Sequence, residues 1–166
     1  MGSRPRVMVS AGVLAVGSDD ELLLILRTDN GLWGLPGGAL EPVESLEAAA
    51  RRELAEETGL RAGELEMITV LSGPEFFYRY PNGDEVHNVI AVYTAAQVTG
   101  TPRPCNAETS EVRRFPLSDL AENILAIDRQ ASNTTLPTGN DLRRTDDASS
   151  SRSGVLEPGR VLWCIG

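Results

Sequence analysis

Gly38-Ala39-Leu40-Glu41-Pro42-Val43-Glu44-Ser45-Leu46-Glu47-Ala48-Ala49-Ala50, followed by Arg51-Arg52-Glu53-Leu54-Ala55-Glu56-Glu57-Thr58-Gly59-Leu60, is unusually dense in carboxylates. Six glutamates here face only two arginines, in a chain whose net charge is −9. Ser45 reads as an N-cap and Gly59 as the glycine that stops a helix, so a helix is predicted from about Ser45 to Thr58. On it Glu53, Glu56 and Glu57 stand at i, i+3 and i+4 and share one face. Like charges at that spacing cost a helix ~0.2–0.5 kcal/mol per pair, a repulsion that something must offset. Two readings are open at this point. One is a solvated acidic face paired with arginines. The other is a set of oxygen ligands for a hard divalent cation, Mg²⁺ or Mn²⁺ rather than zinc.

Outward from the helix the chain alternates strand and helix patterns. Upstream, Val7, Val9, Ala11, Val13 and Ala15 alternate onto one face of a first strand. Arg4 and Arg6 before this apolar stretch imitate a secretion signal, but its removal would take away a core element. Leu22-Leu23-Leu24-Ile25-Leu26 is apolar on both faces and marks a central strand over Glu21–Arg27. The turn Gly31-Leu32-Trp33-Gly34-Leu35-Pro36-Gly37-Gly38 leads into the acidic stretch. Downstream, strands are predicted at 67–71, 76–80, 86–98 and 112–115, and the Asn82-Gly83 pair marks a hairpin between the second and third. A helix is expected from Ser118, where Leu120, Ile124, Ile127 and Ala131 recur at helical spacing. Residues 1–131 thus read as one domain. Residues 132–166 are rich in Ser, Thr, Asp, Asn, Gly, Pro and Arg and read as an unstructured polar tail ending in the apolar Val161-Leu162-Trp163-Cys164-Ile165.

Composition narrows the chemistry. The 166 residues are 41% hydrophobic and 23% charged, the balance of a globular protein. A single histidine, His87, excludes a zinc site with two His ligands, and it needs no catalytic role in an alternating strand. Cys105 and Cys164 form neither a CxxC pair nor a disulfide framework, which implies a reduced, cytoplasmic protein. All fifteen cations are arginine, so lysine-dependent chemistry is absent. An acidic chain with 5% aromatics repels a nucleic-acid duplex and lacks stacking platforms. No apolar stretch approaches the ~20 residues needed to span a membrane. Such a protein could act on phosphates only through divalent cations.

The wider pattern favours the cation. Gly38, five residues, Glu44, seven residues, then Arg52-Glu53-Leu54-Ala55-Glu56-Glu57-Thr58-Gly59-Leu60 resembles the signature of the Nudix hydrolases at every specified position. Leu35-Pro36-Gly37-Gly38 and Phe115-Pro116-Leu117 also look like that family, so the resemblance covers roughly residues 6–130. It implies an α/β fold, an α/β/α sandwich around a mixed β-sheet, with the signature as a loop–helix–loop. It implies divalent-metal-dependent hydrolysis of a phosphoanhydride in a nucleoside diphosphate derivative: a nucleoside triphosphate, an ADP-ribose-like compound or a dinucleoside polyphosphate. A nucleoside monophosphate is then one product. The implied partner is a small nucleotide, with no duplex and no membrane, and the protein is a monomer or homodimer.

By the same resemblance Glu53, Glu56 and Glu57 hold the metal and carry catalysis, helped by the backbone carbonyl of Gly37. Gly38, Glu44, Arg52 and Gly59 support them, with Arg52 pairing with Glu44 and steering Glu53. The general base is Glu53 or an acid on a distant loop, Glu108 or Glu111. Arg27, Tyr78 and Glu111 are candidate substrate contacts. Tyr78 matches a tyrosine of some dinucleoside-polyphosphate hydrolases, whereas Pro74 nearly matches a proline of ADP-ribose hydrolases. Trp33 reads as packing. Arg114 stands where many relatives carry Trp, a departure that removes one stacking platform.

Overall fold

In the computed structural model the described residues are 5–79 and 83–125. All of them belong to one unit, Met1–Leu136. The domain boundary expected near 131, the tail 132–166, Tyr80 and Asn82 lie outside the described residues.

The first sheet is mixed. Strand β1 (Arg6–Leu14) pairs in parallel with β8 (Glu85–Ala95) and antiparallel with β4 (Gly37–Ala39). On the far side of β8 lie β6 (Leu65–Leu71) and β7 (Phe77–Arg79), both antiparallel to it. A second, antiparallel sheet orders β10 (Thr109–Pro116), β2 (Glu21–Arg27) and β3 (Trp33–Gly34). The short strands β5 (Arg61–Ala62) and β9 (Val98–Thr99) pair with each other. Helix α1 (Leu46–Thr58) packs Ala49, Ala50 and Leu54 onto Ala11, Val13, Ala91 and Tyr93 of the first sheet. Leu22, Leu23, Leu24 and Ile25 are wholly buried, as a run apolar on both faces requires, and they alternate between two cores. In the second core Trp33 meets Phe115 edge-on, with ring centroids 4.9 Å apart.

Four local expectations are corrected. The first strand buries only its second half: Val7 is 69% exposed because α1 covers Ala11 and Val13 and leaves the N-terminal end bare. The strand expected over 76–80 starts one residue late. Pro74–Phe76 is a 3₁₀ turn that drops Phe76 into the core, held by the Asn88 amide donating to the Phe76 carbonyl at 3.0 Å. The run 86–98 is broken after Ala95, and Val98–Thr99 turns aside to pair with β5. No helix starts at Ser118 among the described residues. Residues 118–125 are turns and a β-bridge, in which Trp33 donates to the Asn123 carbonyl at 3.1 Å and Leu125 donates to the Trp33 carbonyl at 2.8 Å. The open edge of β3 offers backbone groups that must be satisfied, and this pairing takes Ile124 into the core as extended chain.

Candidate active site

Helix α1 is closed at both ends by its own sequence. The Ser45 hydroxyl accepts from the Ala48 N–H at 3.1 Å, and Gly59 adopts the left-handed conformation, φ 72°, donating to the Ala55 carbonyl. A Cβ at Gly59 would lie 3.0 Å from Cys105 Sγ, so the missing side chain also admits the segment that follows β9. The Arg103 N–H donates to the Thr58 carbonyl at 3.0 Å and pins that segment to the helix end.

Two glycines on β4 let the acidic face come close to the first sheet. A Cβ at Gly37 would sit 2.5 Å from the Ala11 carbonyl oxygen, and a Cβ at Gly38 would strike the Glu53 carboxylate. Glu57 fills the resulting pocket at 2% exposure, and its one side-chain hydrogen bond in the structure comes from the Gly37 N–H at 2.8 Å. The Gly37 amide is thus the group tied to Glu57. Burial pushes the Glu57 carboxyl up to about 8. The Gly37 amide and the Arg27 charge oppose that rise, while the Glu53 and Glu108 charges add to it. Glu53 is also raised, first by burial, against the pull of Arg52.

Arg52 organises the outer part. Its Nε and Nη2 fork onto the two Glu44 carboxylate oxygens at 2.9 and 3.0 Å, and Nη2 also donates to the Ala39 carbonyl. Its Nη1 donates to Glu53 at 2.7 Å and to Glu56 at 3.3 Å. The bond from Arg52 holds the Glu44 carboxyl below its ordinary range. Glu53, Glu56 and Glu57 therefore share a face with different attachments, two on Arg52 and one on Gly37. Among the described residues no three His, Cys, Asp or Glu side chains close on a single point as a finished cation cage.

The other expected residues separate clearly. Arg27, at the end of β2, forks onto Asp29 at 3.0 and 2.9 Å, and its charge acts on Glu57. Glu111 lies opposite Leu26, on the face of β2 away from Arg27, and is bonded by Arg113, which caps Trp33 at 5.3 Å. Glu108 is the loop acid whose charge reaches both Glu53 and Glu57. Tyr78 is half exposed on β7, opposite Val86. His87 is exposed and stacks on Phe77. An open groove of about 680 Å³ runs between β1 and residues 39–44, walled by Val7, Val9, Val43 and Val86. Glu44 lies on its wall, so the groove adjoins the Arg52 cluster. Sequence reading missed Thr28 and Asn106, which hold the turn carrying Glu108; an Asn two residues before Glu108 is the one available signal.

The NUDIX domain family model matches residues 6–135. A protein of Bacillus subtilis named as a candidate 8-oxo-dGTP diphosphatase is 39% identical over 87 residues, 52% of this chain and 54% of that protein. The ADP-ribose pyrophosphatase of Methanocaldococcus jannaschii is 33% identical over 118 residues, 69% of this chain and 64% of that protein. The chain therefore spans little more than half the length of the curated relatives it matches. The crystal structure of a MutT NUDIX hydrolase from Burkholderia pseudomallei superposes with TM-score 0.66 at 30% identity, covering 76% of this chain and 96% of that one. With a mixed sheet, a capped acidic helix on it and a family model matched over most of its length, this chain belongs to the Nudix family.

Proposed function

We propose that the chain is a divalent-metal-dependent pyrophosphohydrolase of nucleoside diphosphate derivatives. One observation carries this reading: Glu57, a carboxylate at 2% exposure, has a single amide donor and stands beside the charged Glu53 and Glu108. Buried carboxylates need compensation, and here the neighbouring charges are mostly of the wrong sign. The donor set fits a hard cation, since Glu53, Glu56 and Glu57 offer only oxygen, while His87 lies on β8 outside the cluster. Mg²⁺ or Mn²⁺ would be held by these three glutamates with the Gly37 carbonyl. When bound, such a cation neutralises diphosphate oxygens and acidifies an attacking water.

The chain's own residues divide the remaining work. Arg52 has its donors committed to Glu44, Glu53, Glu56 and Ala39, so it orients carboxylates and does not meet substrate. Arg27, fixed by Asp29, places a cation beside the glutamates where phosphate oxygens would lie. Glu53 or Glu108 accepts the proton of the attacking water, whose oxygen forms the new bond to phosphorus as the phosphoanhydride breaks. The apolar groove beside Glu44 suits a partner with one wet and one dry end, as a nucleotide has. The exposed free thiol of Cys105 suits a reducing, cytoplasmic setting.

A nucleoside triphosphate, ADP-ribose and a dinucleoside polyphosphate, each incubated with Mg²⁺ and resolved by chromatography, test the reading. A nucleoside monophosphate is expected from at least one of them. Phosphoester or amide hydrolysis as the only activity would overturn the proposal.

A further inference from the structure

The turn 105–109 is fastened to the end of β2 by a small polar lock. The Thr28 N–H donates to the Glu108 carbonyl at 2.9 Å. The Thr28 hydroxyl lies within donating distance of two carbonyls, Ala107 at 3.0 Å and Glu108 at 3.2 Å. Asn106 Oδ1 accepts from the Glu108 and Thr109 N–H groups at 3.1 and 3.0 Å, which fixes the turn's shape. Ser110 donates to the Leu26 carbonyl just beyond. On the other flank Arg103 bonds the Thr58 carbonyl, and Cys105 fills the space at Gly59. The turn is therefore anchored both to the last residues of α1 and to the last residues of β2. Those are the ends that carry Glu57 and Arg27. Thr28 itself is exposed, so its contribution here is a donor and not buried area.

We propose that Thr28 is a positioning residue of the cation site: with Asn106 it holds the 105–109 turn where Glu108 serves as a further oxygen donor beside Glu53 and Glu57. This rests on reading the glutamate face as a cation site. A solvated turn would gain nothing from fixing one carboxylate against two others, because like charges brought together cost free energy. The register of β10 supports the choice of acid, since Glu111 is turned to the opposite face and bonded by Arg113.

Mn²⁺ binding to the full chain, followed by the electron paramagnetic resonance of the free aquo ion, tests this without turnover. Thr28→Val removes the hydroxyl at nearly constant shape, Thr28→Ser restores it, and Glu108→Gln removes the charge at an exposed position. Thr28→Val and Glu108→Gln should each weaken Mn²⁺ binding by about tenfold, the usual effect of losing an outer-shell partner. Thr28→Ser should bind as the wild type does. The double variant should bind no more weakly than Glu108→Gln alone, because both changes act through one carboxylate. Wild-type binding by Thr28→Val or Glu108→Gln, or effects that add in the double variant, would overturn the inference. Glu57→Gln separates the two levels. If it abolishes Mn²⁺ binding while Thr28→Val leaves it intact, the lock alone fails; if it binds Mn²⁺ normally, the cation-site reading fails and the lock with it.

Discussion

Glu57 sits where a carboxylate is least comfortable, and its burial has a consequence for stability. In the cation-free protein its carboxyl titrates at about 8, against an ordinary value of 4.5. Between those values the folded protein holds a proton that the unfolded chain has released. Stability should therefore be highest below about pH 4.5, fall as pH rises and level off above about 8. Glu53, raised in the same direction, steepens the fall. Glu57→Gln keeps the shape and removes the titration. The expected outcome is a flatter stability profile and a higher apo stability at alkaline pH, measured by urea unfolding in chelator. A profile as steep as the wild type's would show that the carboxylate is not strained there. The carboxylates lowered by arginine, Glu44 and Asp29, lose their contribution only in more acidic solution and do not confuse the window.

Helix α1 was legible in the sequence because its determinants are local: a hydroxyl at Ser45, alanines and Leu54 on one side, and a glycine at 59. Ser45→Ala should lower stability by about 1 kcal/mol through the lost N-cap and leave Mn²⁺ binding near the wild-type value. Thermal melts and metal titration of the same samples check both halves. The central strand β2 was legible for a similar reason, since a run buried on both faces allows few alternatives. Residues 118–125 were not, because their apolar spacing fits a helix but the free edge of β3 claims their backbone. Phe76 likewise depends on Asn88, twelve residues away in sequence. Within the site, the face of Glu53, Glu56 and Glu57 follows from helical spacing alone. The distinction between Glu108 and Glu111 needs the β2–β10 register and the turn at Asn106, neither of which periodicity encodes.

Across the whole molecule, a chain of net charge −9 concentrates an acidic face on the first sheet's only helix among the described residues. A cation that binds the folded state and not the unfolded one must stabilise it. Mg²⁺ at a hundredfold excess over its Kd should contribute ~2.7 kcal/mol and raise Tm by several degrees. Sodium chloride at equal ionic strength should not reproduce the rise, which scanning calorimetry can establish. The account's central claim is that the glutamate face of α1 performs metal-dependent cleavage of a phosphoanhydride. It is tested most directly by nucleoside monophosphate release from the best nucleotide of the panel, followed as Mg²⁺ is titrated into the wild type and Glu57→Gln. Release should be absent in chelator, rise to saturation with Mg²⁺ in the wild type, and stay near background in Glu57→Gln at every concentration. Release by the wild type without metal, or a wild-type Mg²⁺ curve from Glu57→Gln, would contradict the account.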